Sequence, residues 1–211
     1  MKFNFKTILL SLVVLLSAIQ TVNAENTGDV QLKKFLKNST SFKATFSQSL
    51  FDENGIELQF SAGVFSLKKP GKFSWDYEEP YPQTIMSNGK LIWMFDSELE
   101  QVTIKPVDAT LSNSSMVLLF SKSDLDKEFK IIKLDVVKGV NWLELISKKS
   151  DSEFSSILLG MKNDLIVSIK LIDGFGQTTV IKFTEISIKP LFENNRFEFK
   201  IPKNVDVIGG E

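Results

Sequence analysis

From Phe42 onward, the sequence is dominated by short segments in which apolar and polar residues alternate. Over residues 42–50, phenylalanine, alanine and leucine alternate with lysine, threonine and serine, which is the period-two pattern of a strand with one buried face. Turn signals such as Asn54-Gly55 and Asn88-Gly89 separate these segments, because both residue types tolerate positive φ. We predict ten or eleven short antiparallel strands, a spacing typical of a sandwich or of a curved, partly closed barrel.

The later strand predictions lie near residues 128–134, 140–147, 154–161, 165–172, 177–188 and 197–201. In the earlier part of the chain, the parity of the apolar positions shifts at Gly63. Such a shift predicts a β-bulge at that point.

Two segments depart from the strand pattern. A helix is predicted over Val30–Asn38 with Asp29 as its cap, because Leu32, Phe35 and Leu36 fall on one helical face. Residues 106–123 predict two short helices, the second of which is apolar nearly all round and must be buried on more than one side. That helix could cover the mouth of the sheet, or it could be a crossover packed on the core.

The first 24 residues have the pattern of a secretory signal peptide. Lys2 and Lys6 precede the apolar run Ile8–Leu16, and Val22-Asn23-Ala24 supplies small residues for cleavage. The run is shorter than the ~20 apolar residues that a membrane-spanning helix needs. We therefore expect an exported, soluble single domain over residues 25–211, with a signal peptide that is cleaved after about Ala24.

Composition narrows the chemistry that the chain can perform. Its 211 residues include 25 basic and 26 acidic side chains and neither histidine nor cysteine. This balance argues against nucleic-acid binding, and the two missing residue types exclude thiol catalysis, disulfides and histidine-based triads. Removal of Lys2 and Lys6 would take the basic count from 25 to 23 against 26 acidic residues, a net charge of −3.

Two groups of residues remain as functional candidates. Asp76, Glu78 and Glu79 lie together in the sequence, and paired carboxylates can hydrolyse glycosides, although an acidic run beside a turn is more often a solvated rim. The other group is the set of phenylalanines and tryptophans concentrated in the first half of the chain. On a half-closed sheet, these aromatic residues would line an apolar groove large enough for a ligand.

Several segments, in order, resemble the periplasmic outer-membrane lipoprotein carrier family (LolA). The resemblance rests on residues 42–48, 63–81, 87–93, 99–103, 197–199 and 202–208. It implies an unclosed antiparallel barrel with an N-terminal helix and a lid of short helices. It further implies a monomeric periplasmic carrier, without enzymatic activity or cofactor, that shields the acyl chains of lipoproteins. Its partners would be an inner-membrane ABC-type release complex and an outer-membrane receptor.

The resemblance also assigns site residues. The lipid groove would be lined by Phe46, Phe65, Leu67, Phe73, Trp75, Ile85, Trp93 and Phe95. In the Leu91–Phe95 strand, the pattern leaves open whether Trp93 and Phe95 or Ile92 and Met94 face the groove. The inner surface of the lid would be formed by Met116, Leu118, Leu119 and Phe120.

Lys69 occupies the position of the family's lid-closing basic residue, which is typically an arginine. Lysine lacks the planar fork of arginine, so lid closure would depend on fewer or weaker hydrogen bonds. Three other functions remain open: a binder of free lipid or another small hydrophobic ligand, a hydrolase that uses the Asp76–Glu79 carboxylates, and a structural or adhesive module.

Overall fold

The fold was analysed in a computed structural model that describes residues 27–107, 125–148 and 154–210. The predicted signal peptide, residues 1–24, lies outside the described residues. So does the predicted lid, with Met116, Leu118, Leu119 and Phe120. No helix within the described ranges is both long enough and apolar enough to cross a membrane.

Twelve strands in the described residues form a single sheet. They are β1 (Ser41–Phe51), β2 (Glu57–Lys68), β3 (Lys72–Glu79), β4 (Gln83–Asn88), β5 (Leu91–Asp96), β6 (Gln101–Pro106), β7 (Phe129–Val137), β8 (Val140–Ser147), β9 (Phe154–Lys162), β10 (Leu165–Asp173), β11 (Thr178–Ile188) and β12 (Asp206–Gly209). The strand order is β12-β6-β5-β4-β3-β2-β1-β11-β10-β9-β8-β7. Because β12 and β7 are the two ends of this order, the sheet is open, as the family resemblance implies, and its described strands number twelve rather than the predicted ten or eleven.

The N-terminal helix α1 spans Gly28–Asn38, so it begins two residues earlier than predicted. The residue at its N-cap is Thr27, with extended backbone, and the prediction that Asp29 caps the helix is wrong. Asp29 lies in the first turn, where its carboxylate accepts a hydrogen bond from the Thr27 hydroxyl and pairs with Lys133 of β7 at 3.1 Å. A carboxylate is favourable there because the helix dipole is positive at its N-terminus.

The α1 helix packs mainly against β7, β8, β9 and β10. The face of the sheet that it covers is the concave face. Leu32 and Phe35 are buried there, and Leu36 packs at the margin. The concave side chains beneath the helix are aliphatic or methionine: Leu143, Leu145, Ile157, Leu159, Met161, Ile166 and Ile169. A second short helix, α2 (Leu125–Glu128), precedes β7.

A bulge occurs at the predicted place, and it involves β3. Gly63 of β2 pairs with Tyr77, whereas Ala62 pairs with Glu79, so Glu78 is the extra residue. A Cβ atom on Gly63 would lie 2.0 Å from the Asp76 carbonyl oxygen, which explains why only glycine fits at this close approach of the two strands.

The C-terminal segment corrects another prediction. Residues 197–201 are not a strand; they belong to an irregular segment that precedes β12. Phe197 is buried, and the ring of Phe199 lies 6.1 Å from that of Trp93 on the convex face. The chain then adds β12 parallel to β6, whereas the other strand pairs of the described sheet are antiparallel.

Candidate functional site

Cross-strand register brings one row of apolar side chains together on the concave face. Phe65 of β2 lies opposite Trp75 of β3, Trp75 lies opposite Ile85 of β4, and Ile85 lies opposite Met94 of β5. Directly opposite residues share a face of the sheet. The row runs from fully buried Phe65 to half-buried Ile85 and Met94.

A second row lies beside the first. Leu67 pairs with Phe73, Phe73 with Ser87, and Ser87 with Ile92. All four side chains are buried. The two rows together form an apolar floor on β2 to β5, which we call the aromatic floor; it consists of Phe65, Leu67, Phe73, Trp75, Ile85, Ile92 and Met94.

Aromatic contacts join this floor to β1. The ring centroid of Trp75 lies 4.7 Å from that of Phe65 and 5.2 Å from that of Phe46. Phe46 also meets the ring of Tyr77 at 5.1 Å, with the two planes nearly perpendicular. Tilted and edge-to-face arrangements of this kind are the favoured geometries for aromatic pairs.

The structure therefore brings together six of the eight predicted groove residues: Phe46, Phe65, Leu67, Phe73, Trp75 and Ile85. The prediction is wrong for Trp93 and Phe95, which lie on the convex face. The ring of Phe199 stacks on Trp93 and lies 5.9 Å from the ring of Phe95. Their neighbours Ile92 and Met94 face the groove instead.

The turn between β4 and β5 contains the signal that identifies which side chains of β5 face the groove. Pairing of Ser87 with Ile92 across a tight turn requires Ile85 to pair with Met94. Because Ile85 is assigned to the groove, Met94 must share its face. Tyr77 is not among the predicted groove residues for a different reason. It lies at the bulge, where the regular alternation of β3 ends.

Within the described part of the chain, two open cavities adjoin the aromatic floor. One, of about 250 Å³, lies at the ends of β4, β5 and β6 and is lined by residues from both faces of the sheet: Gln83, Thr84, Ile85, Met94, Phe95, Asp96, Leu99, Gln101 and Thr103. The other, of about 190 Å³, is mainly polar and is lined by Gln48, Gln59, Ser61, Tyr77, Glu79, Pro80, Tyr81, Gln83 and Ile85. Ile85 lines both cavities, so the concave face changes from apolar to polar at this residue.

Tyr77 marks the same change in polarity. Burial raises the pKa of its hydroxyl to about 12, so the side chain stays neutral at physiological pH. The hydroxyl donates a long hydrogen bond of 3.4 Å to the Gln48 side-chain oxygen. Its neighbour Trp75 is 5% exposed, and the indole Nε1 has no hydrogen-bond partner among the described residues.

Lys69 directly follows β2, and its side chain contacts α1. Its Nζ donates a hydrogen bond of 2.9 Å to the Leu36 carbonyl oxygen in the last turn of the helix. Desolvation by burial lowers the pKa of this amine. A cation is well placed at this end of a helix, where the carbonyl groups lack intrahelical partners.

The carboxylates considered for catalysis are not gathered in the groove. Asp76 faces the convex side, where its Oδ2 accepts a hydrogen bond of 2.7 Å from Arg196 and its Oδ1 one from Ser74. Glu78 and Glu79 are exposed. In the part of the chain that the structure describes, no three acidic side chains are close enough together to hold a metal ion.

Known proteins that are similar to this chain in sequence share one description. A family model described as outer membrane lipoprotein carrier protein LolA matches residues 37–200. An outer-membrane lipoprotein carrier protein from Methylobacillus flagellatus is 34% identical over 199 residues, which cover 94% of this chain and 96% of the relative. One from Dechloromonas aromatica is 36% identical over 179 residues, covering 85% and 86% of the two chains.

Among solved structures, an uncharacterized conserved protein from Thermus thermophilus superimposes with a TM-score of 0.55 at 16% identity. The match covers 85% of this chain and 97% of the other, and at this identity it speaks for the fold alone. The family match spans most of the chain, including the floor strands β2 to β5. The chain belongs to the outer-membrane lipoprotein carrier family, LolA.

Proposed function

We propose that this protein is a periplasmic carrier that covers the acyl chains of lipoproteins on its aromatic floor and ferries them to the outer membrane. The observation that carries the proposal is the continuous apolar row from Phe65 to Met94, which ends beside an open cavity. Membership of the carrier family supports the same cargo.

The free energy of hydration explains why such a carrier is needed. Burial of one methylene contributes about 0.8 kcal/mol, so exposure of a sixteen-carbon chain costs roughly 12 kcal/mol. A lipoprotein cannot cross an aqueous compartment without a cover for such chains. Contacts with an apolar floor are largely non-directional, which suits cargo that is defined by its acyl chains rather than by its protein sequence.

The proposal includes a route. Cargo would come from an inner-membrane ABC-type release complex and pass to an outer-membrane receptor, while the carrier works as a monomer without cofactor or catalytic activity. Its export would depend on the predicted signal peptide, residues 1–24. Lys69 would help to hold the empty form closed, and its hydrogen bond to α1 supports a role in positioning that helix.

Mass spectrometry of the purified protein tests the proposed cargo. Extracts of the protein isolated from its own cells should contain intact acylated protein. Free lipid without acylated protein would instead favour a general lipid binder, and absence of both would contradict an acyl-binding role. Depletion of the protein tests the route, because lipoproteins should then accumulate in the inner membrane.

A further inference from the structure

The indole N–H of Trp75 is an unused hydrogen-bond donor on the aromatic floor. Trp75 is 5% exposed, and its Nε1 is buried without an acceptor in the described ranges. Its neighbours Phe46, Phe65 and Ile85 are hydrocarbon side chains that offer no lone pair. A buried indole N–H normally finds a partner, since an unpaired buried donor carries a desolvation cost.

The other buried atom of this kind has an evident explanation, and Trp75 does not. Asp164 Oδ1 also lacks a partner among the described residues, but the second oxygen of that carboxylate lies 3.4 Å from Lys34 Nζ. The Trp75 indole has one donor and no second group through which it could be satisfied. Its missing acceptor therefore points to a ligand.

The surroundings indicate which part of a ligand would arrive at this depth. Phe65 and Phe73 are fully buried on one side of Trp75, whereas Tyr77 on the other side lines the polar cavity of about 190 Å³. The rings of Trp75 and Tyr77 are stacked at 6.4 Å. Trp75 thus lies where the apolar floor meets hydrogen-bonding side chains.

An acyl chain has the same change in polarity at its head. It is joined to its carrier molecule through a carbonyl group, as an ester or an amide, and that oxygen is a hydrogen-bond acceptor directly attached to the hydrocarbon. We propose that the Trp75 indole N–H donates a hydrogen bond to an acyl carbonyl oxygen of the bound cargo. The polar cavity lined by Gln48, Gln59 and Tyr77 then receives the remaining linkage atoms.

This inference rests on the proposed function and adds a specificity to it. A floor made only of hydrocarbon makes no hydrogen bond to the carbonyl that distinguishes an acyl ester from an alkyl ether of the same chain length. A floor with an N–H donor at the head of the chain shifts the preference towards the ester, because a carbonyl oxygen is a stronger hydrogen-bond acceptor than an ether oxygen. Burial of the donor excludes water as a competitor and strengthens the preference.

The test compares two synthetic lipopeptides that carry a diglyceride-type head with two sixteen-carbon chains, linked by esters in one and by ethers in the other. The ratio of ester-probe to ether-probe affinity should be about fivefold to tenfold higher in the wild type than in Trp75→Phe, the range expected for one net hydrogen bond. The ratio, and not the absolute affinity, is the readout, because Trp75 belongs to the floor that both probes contact. Trp93→Phe, on the convex face, is the matched control and should retain the ester preference.

Indole N–H resonances provide a readout that does not depend on the variants. In wild-type protein labelled with ¹⁵N, the Trp75 resonance should move downfield with the ester probe and not with the ether probe. An ester-to-ether affinity ratio that is the same in the wild type and in Trp75→Phe would overturn the inference while leaving the proposed function intact. Failure of both probes to bind would overturn the proposed function itself.

Discussion

The two halves of the sheet bury their concave faces in different ways. On β7 to β10, aliphatic and methionine side chains pack against α1, a helix of the same chain. On β2 to β5, large aromatic rings pack on one another, and the apolar row continues to half-buried Ile85 and Met94 beside an open cavity. Within residues 27–107, 125–148 and 154–210, α1 covers the first half, whereas the apolar row of the second half reaches an open cavity.

On the convex face, the chain itself covers the half of the sheet that lies behind the aromatic floor. Behind the aromatic floor, the C-terminal segment lies on the sheet, with Arg196 paired to Asp76 at 2.7 Å and Phe199 on Trp93. The floor strands are therefore supported from behind by the chain itself. This arrangement holds the floor strands in place from the convex side.

The largest expected effect on stability lies in the α1-covered half. Leu159 is 1% exposed, and Leu159→Ala should lower the free energy of unfolding by about 2–5 kcal/mol because it leaves a cavity in a packed core. Chemical denaturation measures this loss. Acyl-probe binding by the folded fraction should be unchanged, and a selective loss of binding would contradict the division between the two halves.

The largest expected effect on binding lies at the open end of the floor. Met94→Glu places a charge among apolar groups at a half-buried position, so affinity for an acylated probe should fall by about a hundredfold, with little change in stability. Phe60→Glu is the matched control, because Phe60 lies on the opposite face of β2 and is 47% exposed. Equal losses in both variants would place the binding surface elsewhere.

The bulge between β2 and β3 should be sensitive to a single methyl group. Gly63→Ala would bring a Cβ atom to 2.0 Å from the Asp76 carbonyl oxygen, so the strands must separate and the free energy of unfolding should fall by about 1–3 kcal/mol. Gly174→Ala serves as control, because no heavy atom lies within 4 Å of its added Cβ. Wild-type stability of Gly63→Ala in thermal denaturation would show that this close approach is absent in solution.

Lys69 connects the two halves, since it directly follows β2 and its side chain reaches the end of α1. Lys69→Leu removes this hydrogen bond, and the free energy of unfolding should fall by about 1 kcal/mol because the amine is only half-buried. Delivery of cargo to outer-membrane vesicles should be impaired more than its uptake. Lys68→Leu, at the exposed neighbouring position, should deliver normally, as should Lys69→Arg; normal delivery by Lys69→Leu would remove the proposed role.

Local sequence signals predicted most of the architecture. The alternation in β1, the turn at Asn54-Gly55 and the helical face of α1 each depend on neighbouring residues, and the structure confirms them. The resemblance of β2 and β3 to a known family then placed Phe65, Phe73 and Trp75 on one floor.

The errors arose where distant parts of the chain decide the outcome. Phe197 and Phe199 alternate like strand residues, but they lie in an irregular segment that packs on the convex face. For Trp93, the register of the β4–β5 turn indicates the face, but the ring that packs on it, Phe199, belongs to the distant C-terminal segment. Side-chain type predicts burial better than it predicts which face of a sheet is buried.

Site-specific photocrosslinking in cells tests most directly whether the concave aromatic floor holds cargo. A photoreactive amino acid at Met94, on the floor, is compared with the same residue at Phe60, on the opposite face of the sheet. The account predicts adducts with acylated proteins from position 94 and not from position 60. Adducts from position 60 without any from position 94 would contradict it.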